Sequence, residues 1–231
     1  MQNEKFFQFE ELNKKFSIVA LFSLKKSRNM RIKKNFNSFI KNLSFSPEKV
    51  IIPQQVHSKR VGLVKRDSPS YYFGFDALVT REKKVALTVF TADCLSLFLY
   101  DCKYRAVGII HAGWRGIKKG IIPNTLRAMH RYFHTEPNYL YVAFGPAIRK
   151  CCYEVGKEFK DFFPAHYIYQ RDDALYFDLA GVSKDILLNS GVKKSHILDC
   201  GLCTFCSRDI LFSYRREKAS CARMVSLIML L

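Results

Sequence analysis

Five short apolar runs separated by turn-forming residues constrain the fold of this chain more than any other feature. Runs of this length are typical of strands, and polar residues hardly interrupt them, so we expect strands that are covered on both faces. A sixth run near the C-terminus has the same character and predicts one more buried strand. The six runs span residues 50–52, 85–90, 95–100, 106–111, 139–144 and 224–231.

Helical patterns alternate with these runs. Pro123 fits the first turn of one such helix, because its missing N–H is not needed there. The patterns cover residues 32–43, 124–133, 156–163 and 180–188. Neither a repeat nor a low-complexity linker divides the chain. The sequence therefore predicts a single α/β domain of mixed α+β type over residues 1–231, with mixed β-sheets packed against helices.

The charge of the chain is strongly positive. A formal net charge of +18 attracts polyanions over long distances. The lysines, however, occur as scattered doublets such as Lys14–Lys15 and Lys193–Lys194, a pattern typical of a solvated surface. We therefore expect a general electrostatic bias and no specific nucleic-acid partner. A basic nucleic-acid binder is kept as a third hypothesis, which predicts steeply salt-dependent affinity for generic DNA or RNA.

The apolar segments are too short for a membrane protein. None approaches the roughly 20 apolar residues that cross a bilayer, and the first residues lack the apolar core of a signal peptide. We therefore expect a cytoplasmic protein with no membrane partner. In a reducing compartment its eight cysteines are expected to be thiols or metal ligands and not disulfides.

Three segments resemble strand ends that carry reactive groups, which is where sites assemble in α/β folds. They are QQVH at 54–57, TADC at 91–94 and HAGWRG at 111–116. Taken singly, a histidine or a buried cysteine is more often structural. Together, His57, Cys94 and His111 form a mixed nitrogen and sulfur set that suits zinc and leaves a fourth position for water. Their spacing alone does not show that they converge.

Nine segments occur in the order of a known family. They are QVH (55–57), FDALVT (75–80), TADC (91–94), GIIHAGWRG (108–116), GPAI (145–148), CCYEVG (151–156), LCTFC (202–206), SYRRE (213–217) and ARMVSLI (222–228). Residues 50–231, the motif-bearing core, resemble the laccase-domain family. Its members are also called multicopper polyphenol oxidoreductase-like proteins, purine nucleoside phosphorylases or peptidoglycan editing factors.

The resemblance implies a function as well as a metal site. It implies that His57, Cys94 and His111 bind zinc, with copper as the other possible metal. It also implies phosphorolysis of adenosine, inosine, guanosine or methylthioadenosine and hydrolytic deamination of adenosine, so the partners would be a purine nucleoside and phosphate. Copper-dependent polyphenol oxidation is an alternative activity.

Four further residues are candidates for roles beside the metal. Asp93 would transfer a proton or orient a ligand, and we favour the second role because adjacent strand residues point to opposite faces. Arg115 is the first candidate to bind phosphate. Arg215 and Arg216 come next, with a structural ion pair as their other interpretation.

Residues 1–49 depart from the family. Where relatives carry Phe-Ser-Thr-Arg, a glycine-rich loop and an Asn-Leu-Gly segment, this chain has Phe22-Ser23-Leu24-Lys25 and lacks the glycine-rich loop. Lysine keeps the positive charge but lacks the planar fork of arginine. We expect Lys25 to line the substrate site and to hold phosphate more weakly than an arginine would.

Cysteines suggest two more hypotheses. A cysteine hydrolase that edits peptidoglycan precursors would use Cys94 as nucleophile and His111 as base, with Asp93 or His57 orienting the base.

Near the C-terminus, Cys200, Cys203 and Cys206 form a C-x-x-C-x-x-C pattern without a fourth cysteine at short spacing. We expect these three to be structural thiols and not a metal cluster.

Overall fold

Two mixed six-stranded sheets, packed face to face, form the centre of the protein, which a computed structural model describes over residues 5–231. The strands are Phe6–Gln8 (β1), Ile18–Ser23 (β2), Lys49–Gln54 (β3), Val61–Leu63 (β4), Tyr71–Phe73 (β5), Ala77–Thr80 (β6), Val85–Thr91 (β7), Leu95–Asp101 (β8), Ala106–Ala112 (β9), Leu140–Phe144 (β10), Glu154–Val155 (β11), Ile168–Arg171 (β12), Ala174–Phe177 (β13), Ile197–Asp199 (β14) and Met224–Leu230 (β15). The helices are Glu10–Lys15 (α1), Lys33–Lys41 (α2), Trp114–Lys118 (α3), Ile121–Phe133 (α4), Phe159–Phe162 (α5), Leu179–Asn189 (α6) and Tyr214–Glu217 (α7).

Both large sheets contain parallel as well as antiparallel strand pairs. The first sheet has the order β1-β2-β15-β7-β3-β5, and the second has the order β14-β10-β8-β9-β6-β4. In the first sheet β3 runs parallel to β7 and β5. In the second sheet β4 is parallel to β6, and β10 is parallel to β14. The remaining pairs of both sheets are antiparallel. A third, small sheet contains β11, β13 and β12.

Apolar side chains divide the protein into four layers. Phe22, Phe98 and Ile109 belong to the cluster that fills the space between the two large sheets. Phe36 and Phe39 of α2 pack on the outer face of the first sheet. Helices α4 and α6 pack on the outer face of the second sheet. As the apolar runs predict, every residue of β7, β8, β9 and β15 is buried. The predicted mixed α+β fold is therefore confirmed.

Element boundaries differ from the sequence-based expectation where turns intervene. Helix α4 begins at Ile121, earlier than predicted, after Gly120 turns the chain at a φ of 86°. The pattern over 156–163 yields only the four residues of α5, which ends before Pro164, because the residue before a proline disfavours helical geometry. Strand β2 was not predicted, and it pairs antiparallel with β15 inside the first sheet.

The fold brings the three reactive segments to one end of the stacked sheets. Strand β7 of the first sheet continues through residues 92–94 into β8 of the second sheet, so this turn crosses between the layers. His57 follows β3, and His111 lies next to the last residue of β9. Within residues 5–231, no helix combines the length and apolar character needed to cross a membrane.

Phe98→Ala should remove about 3–5 kcal/mol from the free energy of unfolding, because Phe98 is 1% exposed and contacts Phe9 edge-on between the sheets. Urea denaturation at fixed zinc concentration measures this change. Phe73→Ala is the control, since Phe73 is 68% exposed and should change the free energy by less than about 0.5 kcal/mol. Equal effects of the two substitutions would contradict the packing described above.

Candidate metal centre

His57, Cys94 and His111 converge, although 37 residues separate the first two in the chain. One donor atom from each lies within 4.8 Å of the others. The Cys94 sulfur is 3.8 Å from Nε2 of His57. In a tetrahedral zinc site, bonds of about 2.3 Å to sulfur and 2.0–2.1 Å to nitrogen place these two atoms about 3.6 Å apart. The donor spacing therefore fits a single metal ion.

Asp76 connects the segment that carries His57 to the side chain of His111. Its fully buried carboxylate accepts hydrogen bonds from the backbone N–H groups of Val56, His57 and Ser58 at 3.2, 3.0 and 2.6 Å. Its Oδ1 also lies 2.8 Å from Nδ1 of His111. With Nδ1 occupied in this way, Nε2 of His111 is the nitrogen left for a metal. His57 itself has a φ of 56°, a left-handed conformation that the Asp76 contacts stabilise.

The charges of the centre depend on one another. Burial opposes ionisation of Asp76, but hydrogen bonds from His111 and Ser58 lower the pKa of this carboxyl to about 2. Burial also opposes ionisation of Cys94, yet the facing His111 and His57 lower the pKa of the thiol below its usual value. The pKa of His111 is raised despite burial, because Cys94 and Asp76 are both anionic partners. The pKa shifts of Cys94 and His111 thus share a cause, because each group favours the charged form of the other.

Gly113 allows the close approach of the ligands. A Cβ at this position would lie 2.8 Å from the Cys94 sulfur and 3.0 Å from Cδ2 of His57. The first distance is shorter than real Cβ contacts and the second is tighter than most of them, so a larger residue would displace the donor side chains. This contact explains the glycine that follows His-Ala in the HAGWRG segment.

A cavity of about 510 Å³ opens beside the centre, within the usual size range for small-molecule sites. Its wall includes all three donor residues, four arginines and several aromatic side chains. The lining residues are Arg31, Gln55, His57, Phe90, Thr91, Ala92, Asp93, Cys94, His111, Trp114, Arg115, Ile148, Tyr153, Leu179, Tyr214, Arg215 and Arg223.

Asp93 lines this cavity, but its carboxylate has protein partners. Oδ1 accepts a hydrogen bond from Thr204 Oγ1 at 2.5 Å, and Oδ2 accepts one from the backbone N–H of Arg215 at 2.6 Å. Asp93 lies in a turn with a φ of 89°, and not in a strand as we assumed from the sequence. Its position ties the turn that carries Cys94 to the segment that carries Arg215.

The structure brings two of the four predicted cationic residues to the cavity. Arg115 stacks over Trp114 at 4.4 Å, and Arg215 donates to the carbonyl oxygen of Glu154 at 2.7 Å. Arg216 is not part of the lining, because its guanidinium donates to the carbonyl oxygens of Thr204, Phe205 and Leu211 and to Glu217.

Lys25 also lies away from the cavity. Its ammonium donates to the carbonyl oxygen of Arg208 at 3.1 Å and is 3.6 Å from Glu217. The side chain contacts the C-terminal loop because residues 25–27 form a short 3-10 helix directly after β2. In this structure Lys25 therefore does not take the place of a substrate-binding arginine.

Sequence reasoning missed Asp76 and two arginines of the cavity wall, among other lining residues. Asp76 stands in the noted segment FDALVT, but a lone aspartate at a strand start gives no sign of its partners. Arg31 and Arg223 line the cavity from opposite ends of the sequence. Arg223 lies in the segment ARMVSLI, which resembles the family, but it was not predicted as a site residue. Nothing in the sequence distinguished Arg31 from the other basic residues near it.

Comparison with known proteins agrees with this fold and site. The sequence pattern of the family described as multi-copper polyphenol oxidoreductase laccase matches residues 13–231. A purine nucleoside phosphorylase of Aquifex aeolicus is 40% identical over 184 residues, which are 79% of this chain and 84% of that protein. An adenosine deaminase from an unknown prokaryotic organism is 32% identical over 183 residues, or 72% of this chain and 70% of that protein.

A solved structure extends the agreement to the fold. The Bacillus licheniformis hypothetical protein YfiH superimposes with a TM-score of 0.90 at 23% identity, covering 99% of this chain and 97% of that one. The resemblance inferred from the nine segments is thus confirmed over nearly the whole sequence, and the chain belongs to the multi-copper polyphenol oxidoreductase laccase family.

Proposed function

We propose that this protein is a zinc-dependent purine nucleoside enzyme. It would catalyse phosphorolysis of adenosine, inosine, guanosine or methylthioadenosine and hydrolytic deamination of adenosine. One observation carries the proposal, namely the convergence of His57, Cys94 and His111 in the wall of a cavity that four arginines also line. The names of the relatives, purine nucleoside phosphorylase and adenosine deaminase, support the same chemistry.

The donor set fits a catalytic zinc ion better than a structural one. Two imidazoles and one thiolate leave a fourth position, and the cavity lies beside it. Zinc bound there would supply the Lewis acidity that activates water at neutral pH. Imidazole and thiolate also suit copper, so metal analysis of the purified protein decides between the two ions.

The cavity wall suits a purine nucleoside. Bases stack on aromatic faces, and Phe90, Trp114, Tyr153 and Tyr214 line the cavity. Tyr214 is 52% exposed, so its side chain is accessible to a ligand. Thr91 is 2% exposed, and its hydroxyl has no hydrogen-bond partner among the described residues. A buried hydroxyl of this kind costs free energy until a ligand pairs with it.

The arginines suit phosphate, the second substrate of phosphorolysis. Burial and the nearby charge of Arg223 lower the pKa of Arg31 from its usual value. A phosphate between the two guanidinium groups would remove this repulsion and accept several charge-assisted hydrogen bonds. Arg115 and Arg215 lie on the same cavity and are the other candidates to bind it. Asp93 acts as a positioning residue, since it holds the backbone of Arg215.

Both reactions use this one cavity with different nucleophiles. In phosphorolysis a phosphate oxygen bonds to C1′ of the ribose while the bond from C1′ to the purine breaks, and the purine leaves with a proton. In deamination the oxygen of water bonds to C6 of adenine, and the amino group leaves as ammonia. The arginines would hold phosphate for the first reaction, and His57, Cys94 and His111 would hold the metal ion that activates water for the second.

His111→Ala should abolish metal binding at this centre and turnover of adenosine, because it deletes a ligand. Asp76→Asn keeps all three donors but weakens the orientation of His111, so metal affinity should fall roughly 10–100-fold. Competition with a chelator measures the affinity, and His166→Ala, an exposed histidine elsewhere, serves as control. Full metal affinity in both variants would refute the assignment of the centre.

Arg31→Gln should raise the KM for phosphate by about tenfold or more, since one charge-assisted hydrogen bond contributes roughly 1.5–3 kcal/mol. Deamination consumes no phosphate, so its rate should change much less. Initial rates at varied phosphate, compared with phosphate-free deamination, measure both effects. Arg66→Gln is the control, because Arg66 pairs with Glu48 and Glu82 outside the cavity. An unchanged KM would remove Arg31 from the phosphate site.

A cysteine hydrolase that edits peptidoglycan precursors remains the second candidate, and one observation favours it. Cys94, His111 and Asp76 form a nucleophile, base and orienting carboxylate, with Asp76 in the place we had assigned to Asp93 or His57. A zinc enzyme should resist alkylation of Cys94 until a chelator removes the metal. Mass spectrometry of iodoacetamide-treated protein measures this. Equally fast alkylation before and after chelation would favour the hydrolase.

A further inference from the structure

A second group of sulfur atoms lies outside the site described above. Cys151 and Cys152 follow β10, and Cys203 and Cys206 follow β14. Their four sulfur atoms lie within 4.8 Å of one another. The sequence predicted structural thiols and no metal cluster at Cys200, Cys203 and Cys206. Cys200 is not part of the group, and the two cysteines that complete it are some fifty positions away in the chain.

The spacing of these atoms is that of thiolates around one ion. Four sulfurs bound tetrahedrally to zinc at about 2.3 Å lie about 3.8 Å from one another. The Cys206 sulfur is 3.8 Å from that of Cys151 and 3.3 Å from that of Cys152. A disulfide would need about 2.05 Å, and all four residues are free cysteines. Although adjacent in sequence, Cys151 and Cys152 thus present their sulfurs to the same point.

Backbone contacts hold the two halves of the group in register. Ala147 and Cys203 form a parallel β-bridge. The N–H of Ala147 donates to the carbonyl oxygen of Leu202 at 3.3 Å, and that of Thr204 donates to Ala147 at 3.0 Å. Arg149 adds two bonds to Asp199, at 2.8 and 2.6 Å. The sulfurs are therefore brought together by the fold and not by a chance rotamer of one side chain.

The surroundings suit an anionic metal centre. Four thiolates and one zinc ion carry a net charge of −2. Arg171 donates to the carbonyl oxygens of Lys150 and Cys151 at 2.9 and 3.0 Å, so its charge lies beside the group.

We propose that Cys151, Cys152, Cys203 and Cys206 bind a second zinc ion in a structural, four-thiolate site. Four protein ligands fill the coordination of zinc and leave no open position, which is the pattern of structural zinc. The ion would join the loop after β10 to the loop after β14. Tyr153 follows Cys152 directly, and Thr204, whose hydroxyl bonds Asp93, follows Cys203. This second ion would therefore fix two walls of the catalytic cavity.

Metal analysis of the full-length protein, purified with a reductant, tests the proposal. The wild-type protein should contain two zinc ions per chain, and a Cys151→Ser/Cys206→Ser variant should contain one. His111→Ala should lose the other ion and keep this one, so failure of the proposed function and failure of this inference give different results. Cys221→Ser, a thiol outside both groups, should keep two ions.

Two further measurements test the proposal if a serine variant folds poorly. Cys206→His preserves four donors of a known zinc set and should keep two ions. Cobalt in place of zinc should give a strong thiolate charge-transfer absorption in the wild type, reduced in the double serine variant to that of a single thiolate. One zinc per chain with four freely reactive thiols would overturn the proposal, and so would a disulfide between Cys152 and Cys206 in reductant-purified protein.

Discussion

The geometry of the candidate metal centre depends on the contacts of the buried Asp76 carboxylate. A charge without solvent is costly unless it is fully paired, and here three backbone N–H groups, the Ser58 hydroxyl and His111 pair it. One carboxylate thereby shapes the loop after β3, selects the tautomer of His111 and fixes its ring. His57 reaches the centre only because that loop adopts a left-handed turn. The candidate donors from two different sheets are thus aligned by a residue that is not one of them.

Strands and site residues could be predicted where the sequence pattern that indicates them is local. The runs that became β7, β8, β9 and β15 were recognised because burial on both faces leaves an apolar run that any window detects. The three donors were found because each stands in a distinctive segment. Strand β2 has the same apolar character but lies among basic and aromatic residues, and its partner β15 is some two hundred positions away. Short strands such as β11 depend on their partners for stability and carry almost no signal of their own.

The charged side chains were the hardest to place, for a physical reason. Long cationic side chains reach many partners, so the sequence position of Lys25 or Arg216 does not decide between a substrate and a nearby carbonyl oxygen. In the folded protein both point to the C-terminal loop, where carbonyl oxygens and Glu217 accept their hydrogen bonds. Arg31 and Arg223 meet only because β15 and the segment before α2 lie side by side. The four clustered cysteines likewise meet only in the folded protein, because they belong to two loops that follow different strands.

The place of β15 in the first sheet affects how the protein can be made. This strand lies between β2 and β7, yet it is the last of the described strands to leave the ribosome. Until it arrives, β2 and β7 each expose an unpaired edge, and the site that depends on β7 lacks its neighbouring wall. Unpaired edges of this kind favour association between chains. Synthesis therefore passes through a period in which the nascent chain needs protection, and the cavity beside the candidate metal centre can close only after β15 has been translated.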